Sequence, residues 1–259
     1  MLHLNYKKYG TGKPLIILHG FLGSLDNWHT LATEWGKSGI GVYTVDLRNH
    51  GRSPHTEEHS IKLMSDDIFD FLEQQNLDKI NLLGHSMGGK VAMHFALNHP
   101  EKVDKLIIAD IAPGAYKHSH DDVFSAIFNV DITKIRSRKE AEEMMIKYLP
   151  DFGTRQFILK NLERSDEGNY DWKFNIKTLF REYDETIKAV SSGHIFSNDV
   201  LFLKGGSSTY IRERDTPEIL KLFPNASIEI IENAGHWLHA DKPKEFSEKV
   251  IHFLNENNS

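Results

Sequence analysis

The feature that most constrains this chain is a rhythm of short apolar runs alternating with helical patterns. The runs are "PLIIL" (14–18), "GVYTVD" (41–46), "KINLLG" (79–84), "KVDKLIIAD" (102–110), "DVLFLKGG" (199–206) and "SIEIIE" (227–232). They are too continuously apolar to have a wet face, and strands buried on both faces belong to parallel sheets covered by helices. Between them, Thr30 to Lys37, Ile61 to Gln75, Met87 to Asn98, Arg214 to Phe223 and Pro243 to Asn255 read as helices. The alternation predicts an α/β fold: a mostly parallel central sheet flanked by helices, with right-handed crossovers.

One connection breaks the rhythm. From Asp110 to Asp199 the chain runs about 90 residues, and loops longer than about 15 residues without structure of their own are uncommon. The excess therefore folds by itself. Ser137 and Glu140 form a capping-box pattern before "AEEMMIKYL", and "DWKFNIKTLFREYDETIKAV" (171–190) carries Trp172, Ile176, Leu179, Phe180 and Tyr183 at helical spacing. The expected organisation is a core of residues 1–112 and 197–259, with residues 113–196 inserted as a helical cap. A chain of 259 residues suits one large domain with such an embellishment better than two independent cores.

Charge and composition exclude several classes of function. A formal net charge of −6 and a pI near 6.2 argue against nucleic acid as a partner, which would require a clustered excess of Lys and Arg. With no cysteine there is no thiolate metal site, disulfide or thiol nucleophile. The N-terminal residues lack the apolar run of a secretory signal, and no stretch of about 18 apolar residues could span a bilayer. A soluble, cytoplasmic protein is expected.

The segment "LLGHSMGGKVAMHFA" (82–96) admits two readings. Gly84 to Lys90 spells G-x-x-x-x-G-K, one residue short of a phosphate-binding loop, and "KLIIAD" (105–110) offers an apolar strand ending in Asp. The loop would need Ser or Thr after the lysine as a magnesium ligand, and the position holds Val91. The same letters contain G-H-S-M-G, the turn that presents a serine nucleophile. Close approach of strand and helix in that elbow demands tiny residues two before and two after the serine, and Gly84 and Gly88 stand there.

A serine hydroxyl is a weak nucleophile without a base, an orienting carboxylate and donors for the oxyanion. Of 15 histidines, His236 in "ENAGHWLHADKP" lies in a glycine-containing loop directly after the last strand, where its ring can turn back over the strand ends. His85 is expected to point away from Ser86, since neighbouring side chains alternate in an extended strand. His19 is expected to brace its loop. The "HG" at 19–20, just after an early strand, marks the source of one oxyanion donor, assigned to the backbone N–H of Phe21, with the Met87 N–H as the other. A plain turn between core strands is the alternative for "HGFLG".

Together, "LHGFLGSLDNW", "VDLRNHGRS", "GHSMGGKVAM" and "AGHWLHADKP" resemble the α/β-hydrolase superfamily over essentially the whole chain, the inserted region least. Within it the chain is similar to small bacterial YbfF-type esterases and to α/β-hydrolase-domain-containing protein 11. It departs from the common superfamily pattern at the acid. Most members place Asp after the penultimate strand, but "GGSSTYI" (205–211) holds no carboxylate. Asp199 precedes that strand, and Glu213 and Asp215 are expected to open the next helix. Asp110, ending the strand after the nucleophile helix, is where the likeness to YbfF-type enzymes places the acid; a turn-capping role before Pro113 is its alternative.

Leu22, Trp28 and Trp237 are expected to line the substrate pocket. Arg48 and Arg52 are read as holding a turn, "HSHDD" (118–122) as a helix start rather than a metal site, and basic "KIRSRK" (134–139) as a helix lead-in that could also meet coenzyme A phosphates. The expected function is a serine-dependent carboxylic ester hydrolase needing no cofactor or metal, acting through an acyl-enzyme on small or medium acyl esters, with a small-molecule ester or thioester as substrate and the oligomeric state open. An acyl-CoA thioesterase is the alternative, and a non-turnover small-molecule receptor on the same scaffold is an alternative of a different class.

Overall fold

The chain begins with a strand that the sequence rhythm did not announce, β1 (Tyr6–Tyr9), and continues through β2 (Pro14–Leu18), α1 (His29–Lys37), β3 (Gly41–Val45), α2 (Ile61–Gln74), β4 (Ile80–His85), α3 (Met87–Asn98) and β5 (Val103–Ala109). An inserted segment follows, with α4 (Asp121–Phe128), α5 (Arg138–Met145), α6 (Phe152–Leu159), β6 (Leu162–Arg164), β7 (Tyr170–Trp172), α7 (Ile176–Arg181) and α8 (Tyr183–Ile187). The rhythm then resumes with β8 (Val200–Gly205), α9 (Thr216–Leu222), β9 (Ala226–Ile231), α10 (Leu238–Asp241) and α11 (Pro243–Asn255). The structure is a computed structural model that describes residues 1–165 and 168–256. Residues 166–167 of the expected cap and 257–259 of the expected core lie outside the described residues.

Seven strands form one sheet in the order β1-β3-β2-β4-β5-β8-β9. All neighbours are parallel except β1, which pairs antiparallel with β3 at the edge. Continuous apolar runs become strands here because both faces are covered, except in β9, an edge strand that leaves Ser227 and Ile230 exposed, contrary to the expectation that this run has no wet face. Ile16 and Leu18 of β2, Leu106 and Ile108 of β5 and Phe202 of β8 enter one apolar cluster with α2, α3 and α9. Their alternating neighbours Leu15, Ile17, Ile107, Ala109, Leu201 and Leu203 enter the other, with α1 and α11. Each such side chain contributes roughly 1.5–3 kcal/mol by leaving water. Strand β1 eluded the sequence reading because its residues are exposed or half-buried, so it carries no apolar run.

The inserted segment builds an apolar cluster of its own from Val123, Ile127, Met145, Ile158, Trp172, Leu179 and their neighbours, joined from the core side by Leu22. Ser137 caps α5 by accepting from the Glu140 N–H at 3.2 Å, but the Glu140 carboxylate reaches one residue further back, to the Arg136 N–H at 2.8 Å. The single helix expected over 171–190 is not formed. Tyr170–Trp172 is a strand paired with β6, Trp172 stacks on Phe174 two residues on, and Asn175 caps a new helix by accepting from Thr178. Aromatic residues at two-residue spacing belong to an extended segment, and the four-residue step from Trp172 to Ile176 matched helical periodicity by coincidence. Phe180 of the expected apolar stripe is exposed. Among the described residues, no helix is long and apolar enough to cross a membrane.

Candidate active site

Ser86 stands between the end of β4 and the start of α3 with φ 53° and ψ −120°, a conformation that few non-glycine residues adopt and that costs on the order of 1–3 kcal/mol. The two flanking glycines permit it. A Cβ on Gly84 would lie 2.2 Å from the Gly88 carbonyl oxygen, and one on Gly88 would lie 2.4 Å from that of Leu18, so strand, helix and the neighbouring strand approach too closely for any side chain. The turn is held by the Ser86 N–H donating to Ala109 and by the Gly89 and Lys90 N–H groups donating to the Ser86 carbonyl.

Parallel register sets the next group. β5 lies beside β4 and β8 beside β5, so Ser86, Asp110 and Gly205 occupy the carboxyl ends of three adjacent strands. Asp110 also has positive φ, 51°, and its N–H donates to Leu203 of β8 at 2.8 Å. This turns its wholly buried carboxylate toward the end of β8. There one oxygen accepts from the Gly205 N–H at 3.0 Å, and the other accepts from the Ser208 hydroxyl and from His236. The "GGSSTYI" run, which carries no acid, supplies donors for an acid reaching over from β5.

His236 follows β9 in the loop to α10. Its Nδ1 is 2.8 Å from Asp110 Oδ2 and its Nε2 is 2.9 Å from Ser86 Oγ. Since the carboxylate can only accept, Nδ1 carries the proton and Nε2 presents a lone pair to the serine hydroxyl. Among the described residues, no other histidine lies within hydrogen-bond distance of Ser86 Oγ. The imidazole is packed from two sides. Tyr210 stacks on it at 3.8 Å between centroids and 16° between planes. His85 donates from Nε2 to the His236 carbonyl at 2.8 Å, its ring 4.9 Å away.

His85 therefore does not leave the site as the strand-alternation argument implied. It braces the His236 backbone, and burial together with the neighbouring imidazoles holds it neutral, well below the usual histidine range. His19 ties loops, with Nδ1 on the Gly20 carbonyl and Nε2 accepting from the Leu47 N–H. His239, stacked on Trp28 at 4.2 Å, is pushed down to about 3 by burial. Ser208, Tyr210 and His85 were missed as parts of the site. The signal for the first two was the small polar run at a strand's carboxyl end, where donors for an acid would be needed.

The Phe21 and Met87 N–H groups lie in the loop after β2 and at the first residue of α3. Among the described residues neither donates to a protein acceptor, which leaves both open to a ligand oxygen. The α3 dipole adds positive potential at its start. Over Ser86 and His236 opens a cavity of about 340 Å³ whose wall includes Leu22, Trp28 and Trp237 from the core and Val123, Leu149 and Phe157 from the inserted segment. The Phe21 ring packs against His120, Phe124 and Tyr183 across that seam.

Other sequence candidates have structural partners. The Lys90 ammonium donates to the Gly114, Ile187 and Lys188 carbonyls. Arg48 does not hold its turn but pairs bidentately with Asp67 of α2, at 2.6 and 2.7 Å. The turn is held by Asp46, whose carboxylate accepts from the Leu25 and Arg52 N–H groups and the Asn5 amide. In "HSHDD", His118 contacts Asp184 and His120 the Tyr183 hydroxyl, and the helix starts at Asp121 with no cap from Ser119. Glu213 and Asp215 form a helical turn before α9, where Asp215 accepts from the Arg212 N–H.

The chain has relatives among known proteins. Residues 13–243 match the family model described as the alpha/beta hydrolase fold. The chain is 38% identical over 253 residues to the sn-1-specific diacylglycerol lipase ABHD11 of Danio rerio, covering 95% of this chain and 79% of the relative. It is 34% identical to Esterase YbfF of Escherichia coli, covering 94% of this chain and 93% of that one. A solved marine microorganism esterase superposes with a TM-score of 0.94 at 43% identity, covering 98% of this chain and all of that one.

Proposed function

Since the chain belongs to the α/β-hydrolase family and is an enzyme of the esterase and lipase type, we propose that it is a serine-dependent carboxylic ester hydrolase working through an acyl-enzyme. The observation that carries the reading is the continuous relay from Ser86 Oγ to His236 Nε2 at 2.9 Å and from His236 Nδ1 to Asp110 at 2.8 Å, opening into one cavity. Ser86 Oγ attacks the acyl carbon while His236 takes its proton. The charge forming on the carbonyl oxygen is held by the Phe21 and Met87 N–H groups, each such donor worth about 3 kcal/mol in the transition state. The ester C–O bond breaks as His236 returns the proton to the leaving alcohol. Water, deprotonated by the same imidazole, then attacks the acyl-enzyme and releases the carboxylic acid and free Ser86. Asp110 keeps the imidazole in the working tautomer and stabilises the imidazolium.

Residues 113–196 act as a cap that shapes the cavity without entering the relay. The ester reading is preferred to a coenzyme A thioester because the basic run 134–139 is partly spent within the protein: Lys134 pairs with Asp131, and Arg138 donates to the Leu162 carbonyl. Pre-steady-state and steady-state kinetics on p-nitrophenyl acetate, with fluorophosphonate labelling, test the reading. A burst followed by sustained turnover, with label on Ser86 alone, is the expected result. Binding without turnover would indicate a receptor.

A further inference from the structure

Ser86 lines two chambers. One is the cavity of about 340 Å³, which His236 also lines; the other is a recess of about 30 Å³ that runs behind Met87 and Lys90 toward Ile111, Tyr116 and Ile187, and that His236 does not line. We propose that the small recess takes the acyl group and the large cavity the alcohol, making the protein an esterase for short, uncharged acyl groups on bulky apolar alcohols. This assignment rests on the ester hydrolase reading above.

Proton delivery sets the first constraint. In the tetrahedral intermediate the acyl carbon bears Ser86 Oγ, the oxyanion, the leaving oxygen and the acyl substituent. The leaving oxygen must come within hydrogen-bond reach of His236 Nε2, which protonates it, so the alcohol lies in the chamber that His236 lines. The oxyanion is directed to the Phe21 and Met87 amides. The acyl substituent takes the remaining direction, away from His236, into the recess against α3.

Size then sets specificity. The recess, at about 30 Å³, is an order of magnitude smaller than the cavity of about 340 Å³, so it suits a short acyl substituent and the cavity suits the bulkier group. Chemistry narrows it further. Lys90 is the cation at this recess, but its three N–H donors meet three acceptors, the carbonyls of Gly114, Ile187 and Lys188, and its ammonium lies 4.9 Å from the Tyr116 ring centroid. The ammonium therefore has no donor left for a carboxylate at the acyl end, and the buried Thr186 hydroxyl, unpartnered among the described residues, is a neutral donor. The larger cavity has Leu22, Trp28, Phe157 and Trp237 in its wall, with Asn27, Asp122 and Thr154 among them, and so suits an alcohol with a bulky apolar body.

Two substrate series test the division: p-nitrophenyl esters from acetate to octanoate, and acetate esters of alcohols from methyl to octyl. The expected result is a kcat/KM that falls at least tenfold from acetate to octanoate in the acyl series and rises with alcohol length in the other. Ile187→Ala should raise the hexanoate-to-acetate ratio at least fivefold, with a smaller rise in the milder variant Ile187→Val, while Phe157→Ala should change the dependence on the alcohol and leave the hexanoate-to-acetate ratio unchanged. Faster hydrolysis of octanoate than acetate, or an acyl preference that moves with Phe157→Ala and not with either Ile187 variant, would place the acyl chain in the large cavity and overturn the assignment alone. If no ester in either series turns over, the hydrolase reading fails and takes the assignment with it.

Discussion

The sheet core and the segment inserted between β5 and β8 meet at one cavity and contribute to it differently. Every hydrogen bond made by Ser86, Asp110 and His236 among the described residues comes from the core. The inserted segment supplies walls, such as Val123, Leu149 and Phe157. The core holds its groups by strain and close backbone contact at strand ends. The segment is fastened by side-chain and loop hydrogen bonds, among them Lys90 to Gly114 and Ile187, Asn161 to the Leu22 carbonyl at 2.9 Å and the Asn175 N–H to the Asn49 carbonyl at 2.9 Å. It also leaves Phe128, Ile146, Phe152 and Phe180 exposed, the pattern of a layer less tightly packed than the sheet. The difference teaches a division of labour: core substitutions should change turnover, and substitutions in the inserted segment should change fit.

The largest effect should come from the elbow. Ser86→Ala is expected to lower kcat by about six orders of magnitude with an unchanged circular dichroism spectrum and no fluorophosphonate label. Substantial remaining turnover would move the chemistry off the core elbow. Next, Asp110→Asn should lower kcat by about four orders of magnitude, because an amide can favour the wrong imidazole tautomer while keeping the side-chain shape. Steady-state kinetics at saturating p-nitrophenyl acetate would read it.

The core should also show a pH-dependent weakness. His59 is buried, both ring nitrogens lack a protein partner among the described residues, and burial with nearby Arg48 pushes it down to about 3. Because that value lies below the ordinary 6.5, the unfolded chain takes up the proton first. This contribution to stability is therefore complete above about pH 6.5 and is lost progressively as the pH falls toward 3. Between pH 6.5 and 5 the loss amounts to about 2 kcal/mol at 1.36 kcal/mol per unit. Urea melts of wild type and His59→Phe at pH 7 and 5 should show a smaller loss in the variant; equal losses would mean that other groups set the acid response.

On the other side of the comparison, Phe157→Ala in the cavity wall should raise KM for p-nitrophenyl acetate by roughly tenfold and leave kcat within about twofold, since it touches no relay residue. A loss confined to kcat would show that the inserted segment orders the reacting groups after all. The smallest effects are expected from Glu213→Gln and Asp215→Asn, within about twofold in kcat, because these carboxylates belong to the turn before α9. Loss of activity in either one, with Asp110→Asn active, would relocate the acid to the loop after β8.

What the amino-acid order determined by itself is the sheet and the elbow. Strands covered on both faces must be apolar without interruption, so β2, β3, β4, β5 and β8 were legible within a residue or two; β9 was legible by its isoleucines although it is an edge strand with Ile230 exposed, and the Gly84 and Gly88 spacing around Ser86 is a local steric requirement written in adjacent letters. Edge strand β1 was not legible, because an exposed strand has no obligation to be apolar, nor was the β6–β7 hairpin, whose short pairing competes with a helical spacing of the same residues. The tertiary structure alone decided how far each group sits from the next. Ser86, Asp110 and His236 are far apart in the chain and meet only because the register of β4, β5, β8 and β9 lines up their carboxyl ends. The Ser208, Tyr210 and His85 contacts that hold the carboxylate and imidazole likewise exist only once those strands are side by side. Local sterics can be read from neighbouring residues, whereas a distance across a sheet depends on every pairing between its ends.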